Sequence, residues 1–281
     1  MLMVLSPAKS LDFDGPLPTV TLTDPALEGE ATTLAAILKP MGAPALAQLM
    51  GISDGLADLN AGRFKAWTPK AGPPSARPAL LAFNGDVYEG LNAASLSLKD
   101  LAWAQDHLRI LSGLYGVLRP LDRLQAYRLE MGTRLANPRG KDLYAFWGHR
   151  ITDVLNDLLL AQSKTSKRAA VLLNLASEEY FKSVRCKPMA ATTSEPGGPG
   201  LQAEVVSPVF EDEKNGAFKI VSFYAKRARG LMARYVIDHR IDAPDGLADF
   251  DLEGYQFAPK VSTPLRPVFR RLEKHQPLGA A

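Results

Sequence analysis

The chain of 281 residues contains a single cysteine, Cys186. An intramolecular disulfide is therefore excluded, and so is a thiolate cage around zinc or an iron–sulfur cluster. Such sparing use of cysteine fits a reducing compartment, so a cytoplasmic location is expected. Histidine is scarce as well: His107, His149, His239 and His275 are dispersed and form no closely spaced pair. The residues call for no metal and no cofactor. No apolar stretch approaches eighteen residues, so no membrane-spanning helix is expected. The apolar run at residues 1–5 has no basic segment before it and does not read as a signal peptide. Compact catalytic signatures are missing too, with no GxGxxG, P-loop, GxSxG or CxxC.

What is present is enough apolar residue, 46% of the chain, to build a substantial core. Thirty-three basic residues stand against 30 acidic ones, a net charge of +3. That excess is too mild to name a partner, so the position of the charges matters more than their sum. The densest cluster is FYAKRARGLMARYVIDHR at residues 223–240, with five lysines and arginines against one aspartate. On a helical wheel Lys226, Arg227, Arg229 and Arg234 gather on one side. Tyr224, Ala228, Leu231, Met232 and Tyr235 gather on the other, the pattern of a helix with an apolar face in a core and a basic face in water. A basic face suits a polyanion, nucleic acid being the commonest. It is equally the dress of an ordinary solvated helix.

The rest of the chain reads as mixed helix and strand. Short apolar runs predict strands at 1–5, 79–83, 169–175, 204–210 and 217–223. An Asn215-Gly216 turn joins the last two as a hairpin. Helical spacing predicts helices at 31–38, 45–50, 55–64, 98–110 and 151–160, besides the basic one. Residues 165–168 read as a basic turn, and the glycine- and proline-rich stretch 191–200 as a loop. Without βαβ repetition, internal repeat or long linker, one mixed α/β domain of the α+β class is expected over residues 1–275. It should have a mixed sheet and surrounding helices, with 276–281 as a flexible tail.

Three groups of residues could carry chemistry. Within LAQLMGISDGLADL at residues 46–59, Gly51, Ile52 and Ser53 make a helix-hairpin-helix-like turn inside the element 45–64. Backbone N–H groups at the start of its second helix could meet a DNA phosphate. Ser53 stands where such turns usually have a second glycine, and Asp54 and Asp58 follow. An ordinary helix turn explains the same letters. LSGLYGVLR at residues 111–119 has arginines around it, including Arg119 and Arg128, whose guanidinium forks suit phosphate oxygens. Tyr115 and Tyr127 could stack on unpaired bases or sit in the core. Lastly, polar residues cluster at strand exits: Ser6 and Lys9, Asn84 and Asp86, and Asn174, Ser177 and Glu178. These could converge in one cleft with Lys226 and Arg229. Lys9, Asp86 and Glu130 are then the acid–base candidates, and Asp86 with Glu130 or Glu178 is a carboxylate pair that could do acid–base work or hold a divalent metal.

Taken in order, these blocks resemble the YaaA peroxide-stress protein family over nearly the whole chain. The resemblance runs through SPAK at 6–9, LMGISDGLADLNAGRF at 49–64 and NGDVYEGL at 84–91. LRILSGLYGVLRPLD at 108–122, YRLEMGTRL at 127–135, NLASEEYFKSV at 174–184 and FYAKRARGLMARY at 223–235 complete it. It implies a bacterial cytoplasmic protein of the response to hydrogen peroxide, associated with lower unincorporated iron. It also implies a DNA binder with a mixed α/β fold, a positively charged cleft and a helix-hairpin-helix element. From the residues, the expected partner is double-stranded or branched DNA, held mainly by its phosphate backbone at Lys226, Arg227, Arg229 and Arg234, with Arg119 and Arg128 as further contacts. It implies no settled enzymatic activity. An enzyme acting on a nucleobase, nucleotide or damaged nucleic acid is the alternative. With one cysteine and dispersed histidines, any iron effect is expected to be indirect.

Overall fold

A computed structural model describes residues 1–191 and 197–276. At its centre lies a five-stranded mixed sheet. Its strands are β1 (Leu2–Leu5), β2 (Leu108–Ser112), β3 (Gly116–Leu118), β4 (Val171–Leu175) and β5 (Glu204–Val206), in the spatial order β3-β2-β1-β4-β5. All but β3 run parallel to their neighbours. Every residue of β1 is fully buried, as expected of a parallel strand covered on both faces. A second sheet joins β6 (Val209–Lys214), β7 (Ala217–Lys219), β8 (Tyr255–Phe257) and β9 (Val268–Arg271) in the order β7-β6-β9-β8. Around them pack α1 (Glu28–Leu38), α2 (Ala43–Met50), α3 (Asp54–Ala66), α4 (Asp86–Leu91), α5 (Leu98–His107), α6 (Arg150–Ser166) and α7 (Ser222–His239). One contiguous apolar core runs through the whole assembly, making it a single mixed α/β domain with a mixed sheet and surrounding helices.

Several predicted elements change. The helix expected over 98–110 stops at His107, and LRILS becomes β2, all five residues buried. Ser97 and Asp100 close a capping box at the start of α5. Residues 79–82 form a helical turn rather than a strand, entered from Pro78. The strand predicted over 204–210 breaks at Ser207-Pro208 into β5 and β6, which belong to different sheets. Proline has no N–H to donate to a continuing ladder. The hairpin therefore pairs β6 with β7 around Asn215-Gly216, both at positive φ. Of the basic turn expected at 165–168, Thr165 and Ser166 end α6, and Lys167 and Arg168 make the turn, Lys167 as the helix's left-handed C-cap. Of the tail, Gln276 is anchored by its side-chain amide, which donates to the Glu213 carbonyl at 2.7 Å. Residues 192–196 of the expected loop and 277–281 of the expected tail lie outside the described residues.

The long basic helix α7 packs against α4 with very little separation. A Cβ placed on Gly230 would sit 1.8 Å from the Val87 carbonyl oxygen, and one on Gly90 would sit 2.2 Å from that of Arg227. Two glycines facing opposite backbones thus set the distance between these helices. The predicted apolar face of α7, Tyr224, Ala228, Leu231, Met232 and Tyr235, is buried throughout.

Candidate functional site

Parallel strands β1 and β4 are neighbours, and the chain leaves both at the same edge of the sheet. The connection from β1 leads to β2 on one side, whereas that from β4 leads to β5 on the other. A crevice opens where connections diverge in this way, outside the carboxyl ends of the strands. Here it is a cleft of about 400 Å³. Its two loops are stitched together: the Ser177 N–H donates to Ser6 Oγ at 2.8 Å, and the Tyr88 hydroxyl donates to the Ser6 carbonyl at 3.0 Å. Buried Tyr127 and Tyr180 help form the floor, and burial raises both phenols well above the usual tyrosine value. Tyr127 shares a 2.6 Å hydrogen bond with Ser112 Oγ, and Tyr115 is also buried. The stacking role considered for Tyr115 is therefore closed to it, and Tyr127 presents itself only as cleft lining.

The charged rim comes from five segments. Lys9, in the loop after β1, places Nζ 2.9 Å from Glu130 Oε2, and Arg128 Nη2 lies 3.1 Å from Glu130 Oε1. From α4, Asp86 faces Lys226 of α7 at 3.9 Å. Arg229 follows one turn after Lys226 and is half-buried. Among the described residues it has no hydrogen-bond or ion-pair partner, and burial pulls its guanidinium below the usual arginine value. In all, four cations and three carboxylates line the cleft, the third carboxylate being Glu179. Lys9, Asp86 and Glu130, the acid–base candidates, thus share one cavity, and Ser6, Asn84 and Ser177 line it with them. Asn174 and Glu178 line an adjacent cavity, so of the two carboxylate pairs only Asp86 with Glu130 shares the cleft. Glu179 and Tyr180 had escaped the sequence reading, although they directly follow Glu178 in the block after β4.

The residues expected to meet DNA divide into three groups. Lys226, Arg229 and Arg128 line the cleft. Arg227, Arg234 and Arg119 lie elsewhere and are engaged. Arg227 holds Glu253 with its Nε at 3.0 Å and Nη2 at 2.6 Å, a hydrogen-bonded pairing that raises its pKa. Arg234 Nε lies 2.8 Å from Asp238 Oδ2, and Arg119 Nε lies 3.0 Å from Asp122 Oδ1. Gly51, Ile52 and Ser53 link α2 to α3. Gly51 caps α2 in the left-handed region at φ 61°, where glycine costs nothing. Ser53 stands at the N-cap of α3, and its side chain makes no capping hydrogen bond. Residues of α2, among them Gln48 and Leu49, border a shallow cavity of about 640 Å³ that shares Glu130 and Glu179 with the cleft. The helix α2 thus borders a cavity next to the cleft, whereas Gly51, Ile52 and Ser53 themselves line neither.

Two comparisons with known proteins bear on this arrangement. A family model described as "Peroxide stress protein YaaA" matches residues 1–261. A "UPF0246 protein" of Tolumonas auensis (strain DSM 9187 / NBRC 110442 / TA 4) is 55% identical over 273 residues, covering 97% of this chain and 98% of that protein. The chain belongs to the YaaA peroxide stress family.

Proposed function

We propose that this member of the YaaA peroxide stress family binds nucleic acid, holding its phosphate backbone at the rim of the strand-end cleft. The observation that carries the reading is Arg229, a half-buried guanidinium without a partner among the described residues, one turn from Lys226. Desolvated cations cost free energy unless an anion meets them, and a phosphodiester offers two oxygens in the geometry a guanidinium matches. Arg128 and Lys9 stand across the cleft, bound to Glu130. The turn at Gly51, Ile52 and Ser53 gives a second contact, with DNA lying across α2 toward the rim. Arg227, Arg234 and Arg119 contribute less, since each would have to leave a carboxylate first. Double-stranded or branched DNA is the ligand class, read by backbone and shape. In peroxide stress such binding would shield DNA. The lowering of unincorporated iron is then an indirect effect of that shielding.

The test is a salt-titrated binding assay on duplex and branched DNA with Lys226→Ala, Arg229→Ala protein. Loss of two phosphate contacts flattens the slope of log K against log salt by about 2. Unchanged affinity of the double variant at low salt would refute the reading. A second reading, an enzyme acting on a nucleobase, nucleotide or damaged nucleic acid, is favoured by the Lys9–Glu130–Arg128 cluster beside Asp86 in the same cavity. It expects product from such substrates in the same assay, abolished by Glu130→Gln with binding retained.

A further inference from the structure

Arg229 does not line the cleft alone. It also lines a second cavity, of about 610 Å³, and among the described residues it is the only one the two linings share. The second cavity takes Asn174 and Ala176 from the end of β4 and Ser207 and Pro208 from the link after β5. Both cavities therefore sit along the carboxyl edge of the parallel sheet, with one unpartnered guanidinium at the waist between them.

The two lobes have similar chemistry. The first has an apolar, aromatic floor and a rim of ions. The second has Phe181 and Leu265 for apolar surface, and Arg266 and Lys182 against the single carboxylate of Glu178. Asn174 Nδ2 donates to Ser207 Oγ at 3.3 Å, which leaves the Asn174 amide a further N–H for a ligand edge. Each lobe falls within the roughly 300–1,000 Å³ of ordinary ligand pockets, enough for one nucleoside.

We infer that the two cavities form one two-lobed site for an unpaired dinucleotide step of nucleic acid, its linking phosphodiester on Arg229 and one nucleoside in each lobe. The inference rests on the nucleic-acid reading above and narrows it. A duplex contacts the rim through its backbone, whereas bulged, frayed or damaged positions surrender their bases to the lobes. Unstacking costs least where pairing is already broken, so the site selects such positions from intact duplex.

Fluorescence anisotropy on three oligonucleotides of matched length and sequence tests this: single strand, intact duplex, and duplex with a two-nucleotide bulge. The bulged duplex and single strand are expected to bind at least about tenfold more tightly than intact duplex, a difference of about 1.4 kcal/mol. Ala8 lines the first lobe and Ser207 the second, so Ala8→Trp and Ser207→Trp, which fill them, should each erase that preference while leaving duplex binding in place. A 2-aminopurine in the bulge reports on the unaltered protein, and its emission should change on binding as the base leaves its neighbours. Equal affinity for all three oligonucleotides with unchanged 2-aminopurine emission overturns the two-lobed site and leaves backbone binding standing. Absence of binding to any oligonucleotide overturns both.

Discussion

Replacing Gly230 by alanine tests whether the α4–α7 contact sets the shape of the cleft. The added Cβ would lie 1.8 Å from the Val87 carbonyl oxygen and 2.8 Å from the Leu91 nitrogen, where real Cβ contacts essentially never fall below 3.0 Å. Both obstacles are backbone, so no side chain can rotate away and the helices must part by more than 1 Å. Overpacking of this kind costs about 1–3 kcal/mol, and a backbone obstacle places Gly230→Ala at the upper end, about 3 kcal/mol. At roughly 2–4 °C per kcal/mol for a chain of this size, Tm should fall by about 6–12 °C. Gly55→Ala in α3 is the control, because a Cβ there meets nothing within 4 Å. It should be neutral or stabilising by up to about 1 kcal/mol, as alanine favours helix over glycine. The same two helices carry Asp86 and Val87 on one side of the cleft and Lys226 and Arg229 on the other. Ligand affinity measured well below Tm should therefore fall with stability in Gly230→Ala. A Gly230→Ala protein with the parent's Tm, measured by calorimetry, would refute the packing argument.

Other perturbations have equally definite outcomes. Asp212 and Arg271 are buried together at 2.6 Å, with Tyr255 donating to Asp212 at 2.9 Å. Asp212→Ala strands a buried guanidinium and should cost about 3–5 kcal/mol in denaturant unfolding, most of it recovered by Asp212→Leu with Arg271→Met. Asp100 accepts hydrogen bonds from Ser97 and Arg240, which hold its pKa below the usual carboxylate value. A lowered folded-state pKa gives stability that is complete above the unfolded value, about 3.9, and is lost as pH falls through the folded one. The Tm gap between the parent and Asp100→Asn should thus be constant from pH 5 to 7 and close below about pH 4.

How much of this was legible in the sequence depended on where each partner lay along the chain. Residues 2–5 were readable as a buried strand because an unbroken apolar run ahead of Ser6-Pro7 has few other uses. The helix α7 was readable because its 3.6-residue period runs for five turns. Residues 108–112 misled for the opposite reason. A strand buried on both faces shows no alternation, and its leucines happened to continue the helical spacing of α5. The polar strand exits announced the cleft, since such residues gather where parallel strands end. No local pattern could show that Arg227 would be met by Glu253, 26 residues further on. Nor could it show that β6 would pair with β9 some 59 positions away.

That long-range pairing alters the electrostatic argument itself. The wheel of α7 suggested a stripe of four cations. In the fold Arg227 and Arg234 are bound to carboxylates, leaving Lys226 and Arg229 at the cleft. Adding Lys9 and Arg128 gives at most four cations at the rim, two of which share Glu130. Each neutralised duplex phosphate contributes about 0.9 to the salt slope, so four give no more than about 3.6. Long-range charge can then supply only part of the affinity, and the fit of a ligand into the cavities must supply the discrimination. A measured slope near 6 would require the paired arginines to abandon Glu253, Asp238 and Asp122, and would return the basic helix face to the centre of the binding model.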